Sequence, residues 1–160
     1  MQDWKHDRIG SAERGENPMV MARMKSGFAV IGDTQFLPGY CVLLAAPKAG
    51  SLQELSLERR VQFLLDMSLL GDAVAEACRP VERINYGIAG NNHLYLLGHI
   101  FPRYAFEHIE YFQQFPFSYP KEKWYAPQYR YSDARYGDLR KRITESLESH
   151  MARAYAVLAK

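Results

Sequence analysis

The sequence predicts an α+β domain in which an antiparallel sheet carries a packed helix and a C-terminal helical extension. At least four segments have the apolar, β-branched character of strands, and two long segments have helical periodicity. The strands and helices are segregated along the chain and do not alternate in βαβ order. With 160 residues the chain is expected to form a single domain, residues 1–160, without an internal linker.

The N-terminal part predicts an arm followed by a hairpin. Residues 1–25 are polar and irregular, with a short helical turn expected at Ser11–Glu16 and a short strand or packed arm at Met19–Met24. Phe28–Ile31 and Tyr40–Ala45 are rich in β-forming residues. Glycine, proline and Asp33 between them predict the turns of a hairpin.

The first long helix is expected to begin after Ser56, which is a favourable N-cap, and to end at Arg79-Pro80. Its apolar stripe is assigned from four-residue spacing, and its polar face from the remaining positions. The stripe consists of Val61, Leu64, Leu65, Leu69, Ala73, Val74 and Ala77, and the opposite face of Glu58, Arg59, Gln62, Asp66 and Glu76.

Two further strands are predicted in the stretch from Ile84 to Tyr104. The first runs from Arg83 to Ile88, and a polar loop, Ala89–Asn92, precedes the second, Leu94–Phe101, which Pro102 is expected to stop. Alternation along the second strand places Tyr95, Leu97 and His99 on one face together with His93.

Beyond Tyr104 the chain is unusually rich in aromatic residues. Residues 106–136, here called the aromatic strap, contain eleven of them and several prolines. They predict an extended segment that wraps the domain's own core or a dimer partner. Ser132-Asp133 is expected to cap a last helix whose apolar stripe packs on the domain or on a second subunit.

Composition excludes several classes of function. The formal charge is +2 and no dense basic stripe is present, which argues against a nucleic-acid partner. Cys41 and Cys78 have the surroundings of core residues, and no zinc-ligand spacing accompanies them. The chain shows no signal-peptide pattern and no stretch of transmembrane length, so a cytoplasmic location without membrane contact is expected, and no metal or cofactor is implied.

The stretch from Ile84 to Tyr104 resembles the histidine triad (HIT) family, whose signature is His-x-His-x-His, and in particular its diadenosine polyphosphate hydrolases. The matching motifs are Met24-Lys25-Ser26-Gly27-Phe28, Asn85-Tyr86, Gly90-Asn91, His99-Ile100-Phe101-Pro102-Arg103-Tyr104 and Tyr119-Pro120-Lys121-Glu122. The resemblance implies a sheet of about five strands with a packed helix, usually in a homodimer whose sheets join across the two-fold axis.

The triad itself is degenerate. With His99 as the third triad position, Tyr95 stands at the first and Leu97 at the position of the nucleophilic histidine. The family's covalent mechanism needs an imidazole lone pair in line with phosphorus, which leucine does not have. His93 is able to replace Tyr95 only if the strand slips by two residues, which a buried register disfavours.

The resemblance also implies a set of nucleotide-binding residues. Asp33 matches the residue that binds the ribose hydroxyls, and Ile31 on the same face would lie near the base. Asn85, Asn91 and His99 match positions that face phosphate, and His99 is the one catalytic candidate. For two of them the residues alone leave another role open: Asp33 as a turn residue and His99 as a hydrogen-bonded core histidine.

Three functions are compatible with this sequence. The first is a protein that binds a purine nucleotide or a dinucleoside polyphosphate without covalent catalysis. The second is an active hydrolase of nucleotide phosphoanhydrides, in which His99 would orient phosphate for direct attack by water. The third is a structural or regulatory module that binds a protein partner through the aromatic strap and the last helix.

Overall fold

The computed structural model describes residues 3–159 and contains one five-stranded antiparallel sheet. The strand order is β1-β2-β3-β5-β4. The strands are β1 Val20–Met24, β2 Gly27–Ile31, β3 Cys41–Ala45, β4 Arg83–Ala89 and β5 Leu97–Arg103. This architecture confirms the α+β class and the hairpin between the second and third strands. For Met19–Met24 either a short strand or a packed arm was predicted, and this segment contains the edge strand β1.

Within residues 3–159, five α-helices accompany the sheet. They are α1 Arg8–Glu13, α2 Leu57–Ala77, α3 Ile109–Phe112, α4 Lys121–Tyr125 and α5 Asp133–Leu158. The side chain of Ser56 accepts a hydrogen bond from the backbone N–H of Arg59, so the expected N-cap of α2 is present. The turn expected at Ser11–Glu16 lies slightly earlier, because the side chain of Asp7 caps α1 by accepting from Gly10.

Helices α2 and α5 pack together on one face of the sheet. Gly98 of β5 leaves room for Met67 of α2: a Cβ at Gly98 would lie 2.8 Å from the Met67 side chain. The last helix therefore packs on its own domain, where Ile143 and Leu147 are fully buried. Within residues 3–159, no helix has the length and apolar character needed to cross a membrane.

The buried face of α2 differs from the one expected from its sequence. Val61 is 60% exposed and Leu64 is 44% exposed, whereas Asp66, assigned to the polar face, is fully buried. Asp66 accepts hydrogen bonds from the backbone and hydroxyl of Ser26 and from the hydroxyl of Tyr155. Because a buried carboxylate is tolerated when it is fully hydrogen-bonded, these partners on β1–β2 and α5 rotate α2 away from the simple apolar stripe.

The boundaries of β5 also differ from expectation. The strand begins at Leu97, three residues later than predicted, because Leu94 adopts a left-handed backbone (φ 54°) in an exposed turn. The strand then continues through Pro102 to Arg103, paired with β4. Pairing with β3 ends at Ile100, so Pro102 lies where β5 has β4 alone as its neighbour, a position that tolerates a missing N–H.

The aromatic strap covers the other face of the sheet. It is not extended as predicted but forms short helical turns, among them α3, α4 and the 3₁₀ segments Pro116–Ser118 and Pro127–Tyr129. Prolines begin three of these turns, because the first helical positions need no N–H donor. The wrap around the chain's own core is thus present, in helical form.

A buried ion pair fastens the strap to the sheet. Arg103, at the end of β5, and Glu107 each have side chains that are 1% exposed, with Arg103 Nη2 2.8 Å from Glu107 Oε2. Arg103 also donates to Asn85 Oδ1 at 2.6 Å and to the backbone carbonyls of Tyr111 and Gln114. These contacts join β4, β5 and the first half of the strap through one guanidinium group.

Replacement of Glu107 tests how much this pair stabilises the fold. Glu107→Ala leaves the Arg103 charge buried without its counterion, which is expected to lower the free energy of unfolding by about 3–5 kcal/mol. The matched control is Glu145→Ala, which breaks the exposed pair between Lys141 and Glu145 and should cost about 0.5 kcal/mol or less. Urea denaturation of both variants measures the difference, and equal losses would contradict the assigned role of Arg103 and Glu107.

Candidate functional site

The third triad position, His99, lies in a stack of three rings on the strap side of the sheet. Tyr40, immediately before β3, stacks on Phe101 with ring centroids 4.5 Å apart and planes 6° apart. His99 lies nearly parallel to both rings, 5.9 Å from Phe101 and 6.1 Å from Tyr40. Neighbouring strands place the three rings together, because β3 and β5 pair and residues 99 and 101 share one face of β5.

His99 is buried and has a specific polar partner. Its Nδ1 atom lies 2.8 Å from the hydroxyl of Tyr40, and the two groups share a hydrogen bond. Burial, with a smaller contribution from nearby His93, lowers the pKa of His99 to about 4. Burial also raises the pKa of Tyr40 well above its usual range. At neutral pH the pair therefore consists of an uncharged imidazole and an uncharged phenol.

The aromatic strap closes over this stack. Phe117 meets His99 edge-on at 5.1 Å, and Trp124 packs against both Tyr40 and Phe101 at 5.9 Å. Phe115 lies over Gly87 of β4, where a Cβ would come within 2.5 Å of its ring. The outer edge of this cover is partly solvated, since Phe117 is 50% exposed. The imidazole thus lies beneath an aromatic layer.

The two substituted triad positions lie at the start of β5. Leu97 pairs with Leu44 and Ala89 on the neighbouring strands, is buried, and shares the face of His99. Tyr95 lies two residues before the strand begins. Its ring is 5.5 Å from that of His93, and the ammonium of Lys48 lies over it at 5.4 Å. An aliphatic side chain therefore stands on the strand that carries His99, and a phenol stands two residues before that strand.

Asp33 and Ile31 lie at the end of β2. Ile31 is buried and is the last residue of that strand. Both carboxylate oxygens of Asp33 accept from Arg8: Nη1 to Oδ1 at 3.1 Å and Nη2 to Oδ2 at 2.5 Å. The carboxylate expected to bind ribose is therefore paired with a guanidinium of the N-terminal arm.

The two asparagines of the predicted site lie apart from each other. Asn85, opposite Phe101 on β4, accepts from Arg103 through its Oδ1 atom. Asn91 lies in the exposed turn between β4 and β5. Of the five predicted residues, Ile31 and Asp33 lie at the end of β2, His99 lies with Tyr40 inside the stack, and the two asparagines lie at different points of β4 and its turn. The first two groups are close, because, after burial, the charge of Asp33 contributes to the raised pKa of Tyr40.

Two residues of this face were missed by the sequence interpretation. Arg8 belongs to a polar arm and reaches a partner 25 positions away, and a single charge has no local pattern that reveals such a contact. Tyr40 was placed in a strand, but nothing in the strand pattern marks its hydroxyl as the partner of His99. The only sequence signal for this contact is the position of Tyr40 at the start of a predicted strand.

A concave surface also lies on the helical side. It has a volume of about 720 Å³ and lies between α2, α5 and the segment after α2. In its lining, Glu76 accepts from Ser146 at 2.6 Å and lies 3.0 Å from His150. None of the residues predicted to bind nucleotide lines this surface. Among residues 3–159, no cluster of three metal-ligating side chains is found on either face.

Structural comparison identifies the fold. A histidine triad protein from Sinorhizobium meliloti 1021 matches with a TM-score of 0.65 and 15% identity, over 91% of this chain and 96% of its own. A Hit-like protein involved in cell-cycle regulation from Bartonella henselae matches with a TM-score of 0.64 and 14% identity, over 87% and 94%.

A third match is a hypothetical histidine triad nucleotide-binding protein from Sulfolobus tokodaii strain7. Its TM-score is 0.64 and its identity 14%, over 88% of this chain and 91% of its own. No family model and no curated protein sequence matches the chain. At these identities the matches establish the fold, and the fold is that of the histidine triad proteins.

The burial of His99 predicts a pH dependence of stability. The folded-state pKa of about 4 lies below the ordinary value of 6.5, so the unfolded chain binds more protons between these values. Stability from this group is complete above about pH 6.5 and is lost as pH falls towards 4, a contribution of about 3 kcal/mol.

His99→Gln should remove this part of the acid sensitivity while keeping a hydrogen-bond partner for Tyr40. The control is His108→Gln, since His108 is largely exposed and should leave the profile unchanged. Unfolding free energies measured by urea titration from pH 7 to pH 4 give the comparison. Parallel pH profiles for wild type and His99→Gln would contradict the buried, neutral imidazole.

Proposed function

We propose, from the histidine triad fold, that this chain binds a purine nucleotide or a dinucleoside polyphosphate without forming a covalent intermediate. The observation that supports this most directly is the position of Leu97. It is buried in β5 on the face of His99, where the family's mechanism requires a nucleophilic imidazole. Leucine supplies no lone pair to phosphorus, so binding is retained as a function and nucleotidyl transfer is not.

The proposed roles follow the donors and acceptors of each side chain. Asp33 accepts hydrogen bonds from the ribose hydroxyls, and Ile31 contacts the base. Asn85 uses its Oδ1 for Arg103, which leaves its NH₂ group to face phosphate. Asn91, in the exposed turn, offers a second amide.

His99 would contribute a hydrogen bond rather than a charge. When Tyr40 donates to Nδ1, the neutral imidazole carries its proton on Nε2, and that N–H is a donor for a phosphate oxygen. A neutral donor beneath an aromatic layer orients phosphate but supplies no nucleophile and no cation. This disfavours the hydrolase among the three functions compatible with the sequence.

A structural or regulatory module is the second candidate, and the packing of this face favours it. Tyr95 and Leu97 are both buried, and the strap covers the stack that contains His99. In such a protein the ligand face is closed and a partner protein binds to the outer surface of the strap. Its exposed rings Phe115, Phe117 and Tyr125 supply the apolar contact that a partner would cover.

Nucleotide titration separates the two candidates. Thermal unfolding and calorimetry with adenosine and guanosine mono-, di- and triphosphates and a diadenosine polyphosphate should reveal saturable stabilisation by at least one ligand. At 100 times Kd the expected gain is about 2.7 kcal/mol. Asp33→Asn should weaken this binding, whereas Asp138→Asn, on the exposed face of α5, should leave it unchanged.

Intact-mass spectrometry after incubation with the ligand should find no phosphoramidate-linked adduct. Such an adduct would overturn the non-covalent assignment. No stabilisation by any nucleotide at millimolar concentration would reject nucleotide binding and leave the structural module.

We further propose that the chain forms a homodimer through β4 and the first half of α2. β4 is an edge strand with unpaired backbone groups on its outer side. On the helical side of the sheet, its residues Tyr86 and Ile88 are 44% and 42% exposed. Val61 and Leu64 of α2 are likewise exposed on that side, and joining two such edges buries all of them.

Introducing negative charges into this apolar surface tests the dimer. Val61→Glu combined with Ile88→Glu should convert a dimer to a folded monomer, since a buried unpaired carboxylate costs more than the apolar contact gains. Val157→Glu, which changes a 70%-exposed valine at the other end of the helical layer, is the control. Light scattering coupled to size exclusion measures the mass, and a wild-type monomer or a variant that stays dimeric would exclude this interface.

A further inference from the structure

The N-terminal arm reaches the same carboxylate that the proposed nucleotide would use. Arg8, at the start of α1, presents two guanidinium nitrogens to the two oxygens of Asp33. A guanidinium fork and a carboxylate match in a planar, bidentate geometry. The vicinal hydroxyls of a ribose need the same oxygens as acceptors, so the two partners compete for one group.

The backbone and the guanidinium of Arg8 are held by separate contacts. The carbonyl of Arg8 accepts from Ser11 Oγ at 3.2 Å and from Asn17 Nδ2 at 3.0 Å. The guanidinium lies over the ring of Trp4, 5.1 Å from its centroid. Release of Asp33 therefore requires only the side chain to move, while the backbone contacts of the arm stay in place.

Asp33 is fixed from its other side by the aromatic strap. Its carbonyl accepts from the backbone N–H of Tyr131 at 2.9 Å, and Thr34 forms a β-bridge with Arg130. The next residue, Gln35, donates its N–H to the carbonyl of Tyr129 at 2.7 Å. The backbone of the loop is thus anchored, so a change of partner at Asp33 takes place between side chains without movement of the loop.

We propose that Arg8 is an intramolecular latch that competes with ribose for Asp33. This inference rests on the proposed function and adds its regulation: nucleotide binds after the Arg8 guanidinium leaves the carboxylate. The side chain of Asp33 is 46% exposed and that of Arg8 is 19% exposed, so solvent screens the pair in part. A screened pair is displaced at modest cost, which lowers the apparent affinity without abolishing it.

Removal of the guanidinium should therefore strengthen nucleotide binding. Arg8→Ala is expected to tighten binding by about three- to tenfold, the factor by which a partly exposed bidentate pair holds the competent state down. Arg8→Lys should fall between wild type and Arg8→Ala, because an ammonium occupies the site without a bidentate fit. The control is Arg14→Ala. It removes a positive charge from the same arm, but Arg14 pairs with Asp7 and Glu16 and not with Asp33.

The salt dependence of nucleotide affinity gives a second measurement. A purely structural role of Arg8 would not make the affinity difference between Arg8→Ala and wild type depend on salt. Screening weakens the Arg8–Asp33 pair, so the affinity ratio of Arg8→Ala to wild type should shrink between low and high ionic strength. Isothermal titration calorimetry at both ionic strengths with the best ligand of the nucleotide panel supplies these ratios. Circular dichroism verifies that each variant is folded.

The outcomes distinguish the latch from the function on which it rests. Binding by wild type with an unchanged or weaker affinity in Arg8→Ala overturns the latch and leaves nucleotide binding in place. In that case a weaker affinity would assign Arg8 to the ligand itself. If neither wild type nor Arg8→Ala binds any nucleotide, both the proposed function and the latch are rejected.

Discussion

The buried Arg103–Glu107 pair is the interaction on which the rest of this face depends. A charge inside a protein is tolerated only when its hydrogen-bonding capacity is used. Arg103 meets that requirement with Glu107, with Asn85 of β4 and with two carbonyls of the strap. Glu107 is bound in turn by Tyr119 and by the N–H of Tyr104. One set of charge-assisted bonds thereby holds the strap against the sheet.

The position of the strap determines the chemistry available at His99. Once the strap is fixed, Phe117 and Trp124 pack against the stack of Tyr40, Phe101 and His99. An imidazole in that environment loses hydration that favours its charged form, so its pKa falls. A neutral histidine bonded to Tyr40 is able to donate a hydrogen bond through Nε2, and Leu97 beside it offers no polar atom. The packing of the strap thus determines the charge state of His99.

Local sequence signals predicted the elements of the fold but not the contacts between them. The Ser56 cap, the hairpin of β2 and β3 and the stripe of the last helix were recognisable, because each depends on neighbours within a few residues. The buried face of α2 was assigned correctly at Leu69, Ala73 and Val74. It was assigned wrongly at Asp66, because this residue owes its burial to Ser26 and Tyr155, distant in sequence. The start of β5 was misplaced for a similar reason, since an apolar Leu94 in a left-handed turn has no local signature.

For the candidate site, the sequence supplied candidate residues but not their contacts. Resemblance to the histidine triad family selected Asp33, Asn85 and His99, and each carries a specific polar contact in the structure. Their partners, Arg8, Arg103 and Tyr40, are brought by tertiary packing, and no pattern in one sequence encodes which cation meets which acceptor. A ligand at this face would have to compete with these partners for the polar atoms of Asp33, Asn85 and His99.

The proposed competition at Asp33 links the N-terminal arm and the aromatic strap to the proposed ligand. The arm holds the carboxylate through Arg8, and the strap holds the backbone of the same residue through Tyr131. Coupling free energies are reciprocal, so a nucleotide that displaces Arg8 weakens the docking of the arm by the same factor that the arm weakens the nucleotide. It follows that a partner able to draw Arg8 away from Asp33 would increase nucleotide affinity without touching the nucleotide. Under the proposed function, in which nucleotide is bound and not cleaved, that exchange of partners is the output that binding provides.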